Sequence, residues 1–380
     1  MIMIYPSEIT KKWPHRPLSE VVDFLDSKRK PITQKDRVPG PYPYYGANGQ
    51  QDSVADYIFD EPLVLLAEDG GHFGDADKTI AYQVEGKCWV NNHAHVLRPK
   101  KDVDIRYICR HLERYDVTPF ITGSTRGKLT KTAANNIPIA LPPLEEQRRI
   151  AAILDKADGV RRKRKEAIRL TDELLKSTFL EMFGDPVTNP KGWEIVKIEN
   201  IIELVSGQVD PRESPYSNML HVGGDNIESG TGEISGCKTP AELSLISGKY
   251  LFRKGDILYS KIRPYLNKVS LPDFDGVCSA DIYPIRVNHS CVTPIYMTSI
   301  LRSKGFLEYA EKHSTRTNIP KINRKALLSF ECPLPPLGLQ NQFTNSANKI
   351  LKIKDHEKTG VDKANNLFNS LLQRAFRGEL

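Results

Sequence analysis

The stretch Leu141-Pro142-Pro143-Leu144-Glu145-Glu146-Gln147 returns near the end of the chain as Leu334-Pro335-Pro336-Leu337-Gly338-Leu339-Gln340. The two copies are 193 residues apart (position 141 to position 334), and the same offset continues without a gap to Phe183 and Phe376. Apolar residues recur every three or four positions in both copies, which is typical of one face of an α-helix. At ~1.5 Å per residue, each helix of roughly forty residues would be about 60 Å long.

A helix of that length rarely packs on one small domain alone, so we predict that the two apolar stripes pack on each other as an antiparallel coiled coil. The alternative is that each stripe is the core face of a helix within its own domain. The residues predicted to form the coiled coil or to contact a partner are Ile150, Leu154, Ala157, Ile168 and Leu175 in the first copy and Phe343, Ile350, Val361, Leu367 and Leu371 in the second.

Length, charge and cysteine content set broad limits on the class of protein. A chain of 380 residues is long enough for two or three domains. The net charge of +7 is compatible with nucleic-acid binding, although many proteins share it. The six cysteines form no CxxC pair, and no signal peptide or membrane span is apparent, so we expect reduced thiols in a cytoplasmic protein without membrane contact.

The segments before the two helices are repeated more loosely. Trp13 begins the first and Trp193 the second, an offset of 180, so the second segment is thirteen residues longer. Short β-rich runs and glycine turns fill both, and residues 39–50, rich in proline, glycine and tyrosine, predict an irregular surface loop. We therefore predict an α+β protein with a pseudo-twofold internal repeat, divided into a first domain (1–142), a central helix (143–183), a second domain (184–335) and a C-terminal helix (336–380).

No motif in the chain supplies a catalytic centre of its own. The run Gly123–Leu129 resembles a phosphate-binding loop, but it has too few residues between its glycines and a leucine where Ser or Thr belongs. Cys88, His93 and His95 fit no zinc spacing, so no metal site is predicted. Asp77 with Glu85-Gly86-Lys87 has the residue types of a metal-dependent nuclease, yet no second carboxylate cluster supports it.

Two variable segments, each followed by a repeated helix that opens Leu-Pro-Pro-Leu-x-x-Gln, resemble the specificity (S) subunit of type I restriction-modification systems. The resemblance covers essentially the whole chain, although Gly338-Leu339 replaces Glu145-Glu146 in the second copy. It implies a non-catalytic subunit with two target recognition domains, each reading one half of a split site in double-stranded DNA. It also implies two methyltransferase (M) subunits and restriction/translocase (R) subunits as partners, with S-adenosylmethionine and Mg-ATP bound by those partners and no cofactor bound by this chain.

Base and phosphate contacts are made by Arg, Lys, Asn, Gln and aromatic side chains on loops. The resulting candidates for DNA binding are Tyr45, Asn48, Arg126, Lys128 and Lys131 in the first domain and Asn226, Arg263, Tyr265, Lys268, Arg316 and Lys321 in the second. For each candidate, a solvated surface residue or a turn former is the alternative. The basic run Arg161–Lys165 is a solvated helix face or a contact to DNA phosphates.

Two other functions remain open from the sequence. A coiled-coil scaffold that assembles proteins without reading DNA would share the repeated helices. A stand-alone endonuclease would need a metal-binding carboxylate cluster, of which Asp77 and Glu85 are the only trace.

Overall fold

The computed structural model of the chain describes residues 3–10, 12–123, 127–314 and 319–380. They divide into two compact units: unit 1 joins the residues up to Glu166 with Glu357–Leu380, and unit 2 is Ala167–His356. Each unit therefore contains part of both long helices. The division into four segments predicted from the sequence follows helix ends instead and stays a prediction.

The described residues of unit 1 form three small sheets, three short α-helices and parts of the two long ones. Its elements are β1 (His15–Pro17), α1 (Leu18–Val21), β2 (Val22–Phe24), β3 (Pro39–Gly46), β4 (Gly49–Val54), β5 (Phe59–Asp60), β6 (Leu63–Ala67), β7 (Ala81–Val84), β8 (Lys87–Val90), β9 (Ala94–Pro99), α2 (Ile105–Leu112), α3 (Lys131–Asn135), β10 (Pro138–Ala140) and the first part of α4 (Leu144–Phe183). The sheets have the orders β1-β10, β2-β9-β6-β7 and β4-β3-β8-β5.

Strand β6 lies between two apolar clusters of unit 1. Val64 and Leu66 face the cluster that contains α2 and the long helices, while Leu63 and Leu65 face the cluster between the two four-stranded sheets. Because side chains alternate along a strand, a strand buried on both faces reads as an unbroken apolar run. This burial explains the continuous sequence Leu-Val-Leu-Leu-Ala.

Residues 39–50 form a β-hairpin, so the predicted irregular loop is wrong. Strands β3 and β4 pair antiparallel with register shifts between Pro39 and Tyr42 and between Tyr44 and Tyr45. On its other side β3 pairs with β8 only at Tyr44 and Tyr45. The proline-rich half of β3 thus has a partner on one side alone, where the missing N–H groups of proline are tolerated.

Unit 2 repeats this plan with one change in a sheet. Its elements are β11 (Ile195–Lys197), β12 (Ile202–Leu204), β13 (Gln208–Val209), β14 (Leu220–Val222), β15 (Lys249–Phe252), β16 (Ile257–Ser260), β17 (Val269–Ser270), β18 (Gly276–Cys278), β19 (Ile282–Val287), α5 (Pro294–Arg302), α6 (Lys304–Lys312), α7 (Arg324–Leu328), β20 (Glu331–Pro333) and the first part of α8 (Leu337–Phe376). The sheets β11-β20 and β12-β19-β16-β17 correspond to β1-β10 and β2-β9-β6-β7. The third sheet is β13-β15-β18-β14, in which β14 runs parallel to β18 as β3 runs parallel to β8.

The outer strand of that third sheet differs between the units. Unit 1 adds β4 beside β3 through a hairpin, whereas unit 2 adds β13 at the opposite edge, beside β15. The first two sheets of unit 1 are thus repeated in unit 2, whereas the third sheet is repeated only in part.

The two long helices pack on each other within each unit, and they do so antiparallel. In unit 1 the beginning of α4, with Ile150 and Leu154, shares a core with the end of α8, with Phe368 and Leu372. In unit 2 the end of α4, with Phe179 and Phe183, meets the beginning of α8, where the Phe179 and Phe343 rings lie 5.6 Å apart. The predicted antiparallel coiled coil is confirmed.

The contact follows a narrower face than the sequence stripe. Ile150, Leu154, Ala157, Phe343 and Ile350 are buried, and Leu175 and Leu371 pack at the edges of the cores. Ile168 and Val361 are half-buried. Leu367, in contrast, is 56% exposed and does not lie in the seam, because the neighbouring Phe368, about 100° further round the helix, fills that place.

Both long helices begin and end as their sequences indicate. The carbonyl groups of Pro143 and Pro336 accept the first hydrogen bonds, from the amides of Gln147 and Gln340 among others. Gly184 follows α4 with a φ of +79°, and its N–H bonds to the carbonyl of Leu180, a common helix end. Within the described ranges, no helix combines the length and hydropathy that crossing a membrane requires.

Candidate nucleic-acid interface

The repeated glutamine of the Leu-Pro-Pro-Leu-x-x-Gln block fixes each long helix to its own unit. In unit 1 the Gln147 Oε1 accepts the N–H of Asp104 at 2.9 Å, while its Nε2 donates to the carbonyls of Asp102 at 3.2 Å and Pro142 at 2.8 Å. Asp104 is the N-cap of α2. The side chain of Gln147 is buried, so these bonds are shielded from water.

Unit 2 forms the same three bonds at equivalent places. The Gln340 Oε1 accepts the N–H of Thr293, the N-cap of α5, at 2.9 Å. Its Nε2 donates to the carbonyls of Cys291 at 2.9 Å and Pro335 at 2.8 Å. One turn into each short helix a tyrosine completes the frame: Tyr107 donates to the carbonyl of Ala140 and Tyr296 to that of Pro333, both at 2.6 Å.

Two of the unit 1 candidates lie in the β3–β4 hairpin. Asn48 is exposed at its turn and donates from Nδ2 to the carbonyl of Gly70 at 2.9 Å, so it joins the hairpin to the β6–β7 connection. Tyr45 is half-buried, with its ring 5.9 Å from that of Tyr82, and burial raises the pKa of its hydroxyl. Asn48 is therefore placed for contact, whereas Tyr45 mainly supports the hairpin.

The other unit 1 candidates lie near a buried ion network. Lys128 Nζ is 3.1 Å from Glu68, and Arg29 bonds the same carboxylate at 2.7 Å. Lys131, at the start of α3, lies over the ring of Phe24 at 5.6 Å. Arg126 falls outside the described residues. Lys128 is thus partly neutralised, while Lys131 keeps an exposed ammonium group.

Asp26, Glu68 and His95 converge closely enough to suggest metal ligation, but their atoms already have partners. His95 Nδ1 lies 2.7 Å from Asp26 and its Nε2 2.8 Å from the carbonyl of Leu129. Burial raises the pKa of Asp26, but the hydrogen bond and charge of His95 and the nearby Arg29 outweigh it, so the net pKa is lowered. The Arg29 guanidinium pairs with both carboxylates, 3.4 Å from Asp26 and 2.7 Å from Glu68, so the cluster is an internal ion network.

In unit 2 the candidates separate into structural and presented side chains. Asn226 accepts the N–H of Gly223 and donates to the carbonyl of Ser235, and Lys268 donates to the carbonyl of Gly224 at 2.6 Å, so both hold loops in place. Arg263 and Tyr265 are exposed in the β16–β17 connection, Tyr265 by 52%.

Arg263 has a left-handed backbone, with a φ of +48°, and its N–H is fixed by the carbonyl of Pro320 at 2.7 Å. A non-glycine residue held in this region is frequent at functional sites. Lys321 is half-buried and lies 3.7 Å from Asp281, while Arg316 falls outside the described residues.

The same pair of segments meets in both units, with different charges. The backbones of Asp69 and Lys128 form an isolated antiparallel β-bridge in unit 1. The backbones of Ile262 and Lys321 form the same β-bridge in unit 2, again at an offset of 193. One residue earlier, unit 1 has Glu68 and unit 2 has Lys261, whose ammonium lies over the ring of Tyr283 at 5.0 Å. A repeated backbone thus carries a buried acidic residue in one unit and a buried basic one in the other.

Comparison with known protein families also finds the repeat in this chain. Residues 10–170 and 190–353 both match the profile of the type I restriction modification DNA specificity domain. The chain belongs to the type I restriction-modification DNA specificity family. Its two matched segments contain the two glutamine frames described above.

Relatives within this specificity family extend over most of the chain. The chain is 29% identical to the type I restriction enzyme EcoDI specificity subunit of Escherichia coli, over 90% of this chain and 83% of that protein. It is 23% identical to the MjaVIII specificity subunit of Methanocaldococcus jannaschii, over 96% and 92%.

Two solved structures share the fold. The S subunit of a type I restriction-modification system from M. genitalium has a TM-score of 0.62 at 12% identity and covers 96% of each chain. A chain from a structure that describes complex assembly and conformational transition of the type I R-M system has a TM-score of 0.50 at 17% identity, over 98% and 99%.

The specificity chain also has basic surfaces that extend beyond the individual candidates. The first contains Asn48 and part of the predicted basic run Arg161–Lys165, while Lys78, Arg114 and the second surface were not predicted from the sequence. A cleft of about 470 Å³ in unit 1 is lined by Asn48, Gly49, His72, Asp77, Lys78, Thr79, Tyr82, Arg114, Arg161 and Lys165. A depression of about 540 Å³ in unit 2 is lined by Lys197, Glu199, Arg324, Lys325, Leu328 and Ser329. Arg324 begins α7 as Lys131 begins α3, so the repeat itself could have identified it.

Proposed function

We propose that the chain reads a bipartite DNA target for a type I restriction-modification complex, with one half-site read by each unit. The observation that carries the proposal is the contrast between frame and loops. The Gln147 and Gln340 frames are repeated bond for bond, while the outer strands and the Glu68/Lys261 position differ between the units. Two units that share the same glutamine frame but differ in their outer strands are suited to an asymmetric split site.

Partner subunits would carry out methylation and cleavage. Two M subunits would bind along the long helices and carry S-adenosylmethionine, and R subunits with Mg-ATP would join for cleavage. The chain itself would contribute recognition and no catalytic group. The ion network of Asp26, Glu68 and His95 supports this, because Arg29 and Lys128 already neutralise its carboxylates.

The decisive experiment is a map of methylated adenines in a host that carries this chain and its methyltransferase. Residues 13–122 are exchanged for the corresponding segment of another specificity protein, and the map is repeated. We expect one half-site to change while the other half and the spacer stay the same. A change in both halves, or in neither, would overturn the assignment of one half-site to each unit.

Three measurements test DNA binding and the non-catalytic role. Affinity for DNA should fall as salt rises, because phosphate contacts release counterions, whereas a scaffold that does not touch DNA shows no such dependence. Purified chain free of other subunits should neither cut plasmid with Mg²⁺ nor retain S-adenosylmethionine in equilibrium dialysis. Cutting or retention by the chain alone contradicts the non-catalytic role.

A further inference from the structure

The cleft of unit 1 is basic, and its cations come from three separate parts of the sequence. Lys78 and Arg114 are contributed by the β6–β7 connection and the end of α2, while Arg161 and Lys165 lie on one face of α4, four residues apart. Asp77 is the one carboxylate among the lining residues. The cleft therefore collects positive charge in excess of what its own acidic group offsets.

Two of these cations have no acidic partner among the described residues. No ion pair is formed there by Lys78 or by Lys165, and both side chains are exposed. In the same basic run, Arg161 and Arg162 pair with Asp158, and Arg164 pairs with Glu357. The run Arg161–Lys165 is thus not a uniformly solvated face, because three of its five cations are used within unit 1.

Arg114 gives the cleft a buried cation. Its side chain is 4% exposed and its Nη1 donates to the carbonyl of Ala76, which holds the turn that carries Lys78. Its Nε has no hydrogen-bond partner among the described residues. Burial lowers the pKa of Arg114, and the nearby charge of Arg161 lowers it further, although Glu113 acts in the opposite direction. A buried donor beside a second guanidinium is an environment that an anion would stabilise.

The rim of the cleft is fixed by hydrogen bonds within unit 1. Asn48 bonds the carbonyl of Gly70, and the Tyr82 hydroxyl donates to the carbonyl of Gly46 at 2.5 Å. The hairpin turn and the β6–β7 connection, which form this rim, are therefore held before any ligand arrives.

Unit 2 neutralises the corresponding place. Lys354 is the equivalent of Arg161 at an offset of 193, and it pairs with Asp172 at 2.6 Å and Glu233 at 3.0 Å. Burial lowers the pKa of Lys354, but hydrogen bonds to the two carboxylates outweigh it and raise the net pKa. The β16–β17 connection is also shorter, residues 261–268 against 68–80 in unit 1. At this place, therefore, unit 2 pairs its cation with two carboxylates, whereas Lys78 and Lys165 of unit 1 form no ion pair among the described residues.

We propose that this cleft binds a phosphate of the DNA backbone, with Lys78 and Lys165 as its direct contacts and Arg114 as the buried cation behind them. The inference rests on the proposed DNA-reading function and deepens it. A phosphate contact fixes the register of the duplex against the unit without carrying base information. Volume, positive charge and the fixed polar rim fit such a group better than a base, which would need an aromatic surface or paired amide groups.

The test uses Lys78→Gln and Lys165→Gln in the full chain, purified with its methyltransferase. Each variant should reduce the steepness of log K against log salt by about 1. If the variant and the unchanged chain bind equally at 1 M salt, the variant should therefore bind about tenfold more weakly than the unchanged chain at 0.1 M salt. The loss should be the same for target and non-target DNA. The matched control is Lys163→Gln, which removes the same charge from α4 on the face opposite Lys165 and should leave the slope unchanged.

A second measurement identifies the phosphate. Single linkages of the target duplex are replaced one at a time by neutral methylphosphonate. At one linkage on the side of the half-site read by unit 1, neutralisation should weaken binding of the unchanged chain and have no further effect on the Lys78→Gln/Lys165→Gln double variant. If every linkage weakens both proteins equally, or if Lys163→Gln matches Lys165→Gln, the cleft is not a phosphate site. If the unchanged chain itself shows no salt-dependent binding, the proposed function fails with it.

Discussion

Arg164 and Glu357 occupy equivalent positions of the two repeated helices, 193 residues apart, and they form an ion pair with each other, with 3.0 Å between Nη1 and Oε2. Both positions are at the middle of their helices, Leu144–Phe183 and Leu337–Phe376. Equivalent residues of an antiparallel pair can meet only at its centre. The pair therefore marks where the duplicated helix packs on its own copy, and a half-exposed pair of this kind contributes up to about 1 kcal/mol.

Gly360 lies beneath this pair, and its small size has a purpose there. A Cβ at position 360 would lie 2.3 Å from the Arg164 Nη1. Gly360→Ala should therefore gain less than the ~1 kcal/mol that alanine usually adds to a helix interior, since the Arg164 side chain must move. Gly159→Ala is the control, because a Cβ there meets nothing within 4 Å and should give the full gain. Denaturant unfolding of both variants measures the difference, and equal gains would show that Arg164 does not restrict the site.

Replacing Gln147 tests whether the repeated frame holds the helix to unit 1. Gln147→Leu leaves the N–H of Asp104 and the carbonyls of Asp102 and Pro142 without their partner. Buried groups left in this way cost roughly 1–3 kcal/mol each when water cannot reach them, so for three groups we expect a total loss of at least about 3 kcal/mol in the free energy of unfolding. Gln342→Leu, an exposed position on α8, should change it by less than about 0.5 kcal/mol. Similar losses for the two variants would show that the hydrogen bonds of Gln147 do not hold α4 to unit 1.

The long helices, their pairing and the two-part plan were predictable because the repeat preserves helical spacing and the Leu-Pro-Pro-Leu-x-x-Gln block. Strands such as β6 were readable from their apolar runs. The β3–β4 hairpin was missed because its prolines and glycines are local turn signals, while β8, the strand that β3 joins on its other side, is more than forty residues away. Among the site candidates, Asn226 and Lys268 have the residue types of DNA contacts but hydrogen-bond within their own loops, which no local pattern reveals. Lys165 and Lys78 join one cleft only through the fold.

His111 should make the stability of unit 1 depend on pH. It is fully buried between Tyr115 and Phe376, and burial lowers its pKa to about 4 from an ordinary value of 6.5. Below pH 6.5 the unfolded chain binds a proton that the folded chain does not, so stability is complete above that pH and is lost as pH falls toward 4. The loss approaches about 1.4 kcal/mol per pH unit between these values.

The variant His111→Leu removes this proton, so the difference in unfolding free energy between it and the unchanged chain should shift in its favour from pH 7 to pH 5. His289→Leu, at an exposed position, is the control and should show no such shift. A difference that stays constant over this pH range would mean that His111 titrates alike in both states.

Leu174 and Leu367 test the proposed contact with M subunits. They are equivalent residues of the two helices, and within the chain itself they are 49% and 56% exposed. Val160 and Ile353 form a second equivalent pair, also exposed, by 46% and 54%. Apolar side chains exposed at duplicated positions indicate two similar contacts, one on each helix.

Leu174→Lys or Leu367→Lys should each lower the number of M subunits bound per chain from two to one, because a charge buried in an apolar contact costs several kcal/mol. Light scattering of the purified assembly measures this number, with Asn366→Lys, which adds the same charge on the neighbouring face of α8, as the control. Two M subunits retained by both leucine variants would place the contact elsewhere on the chain.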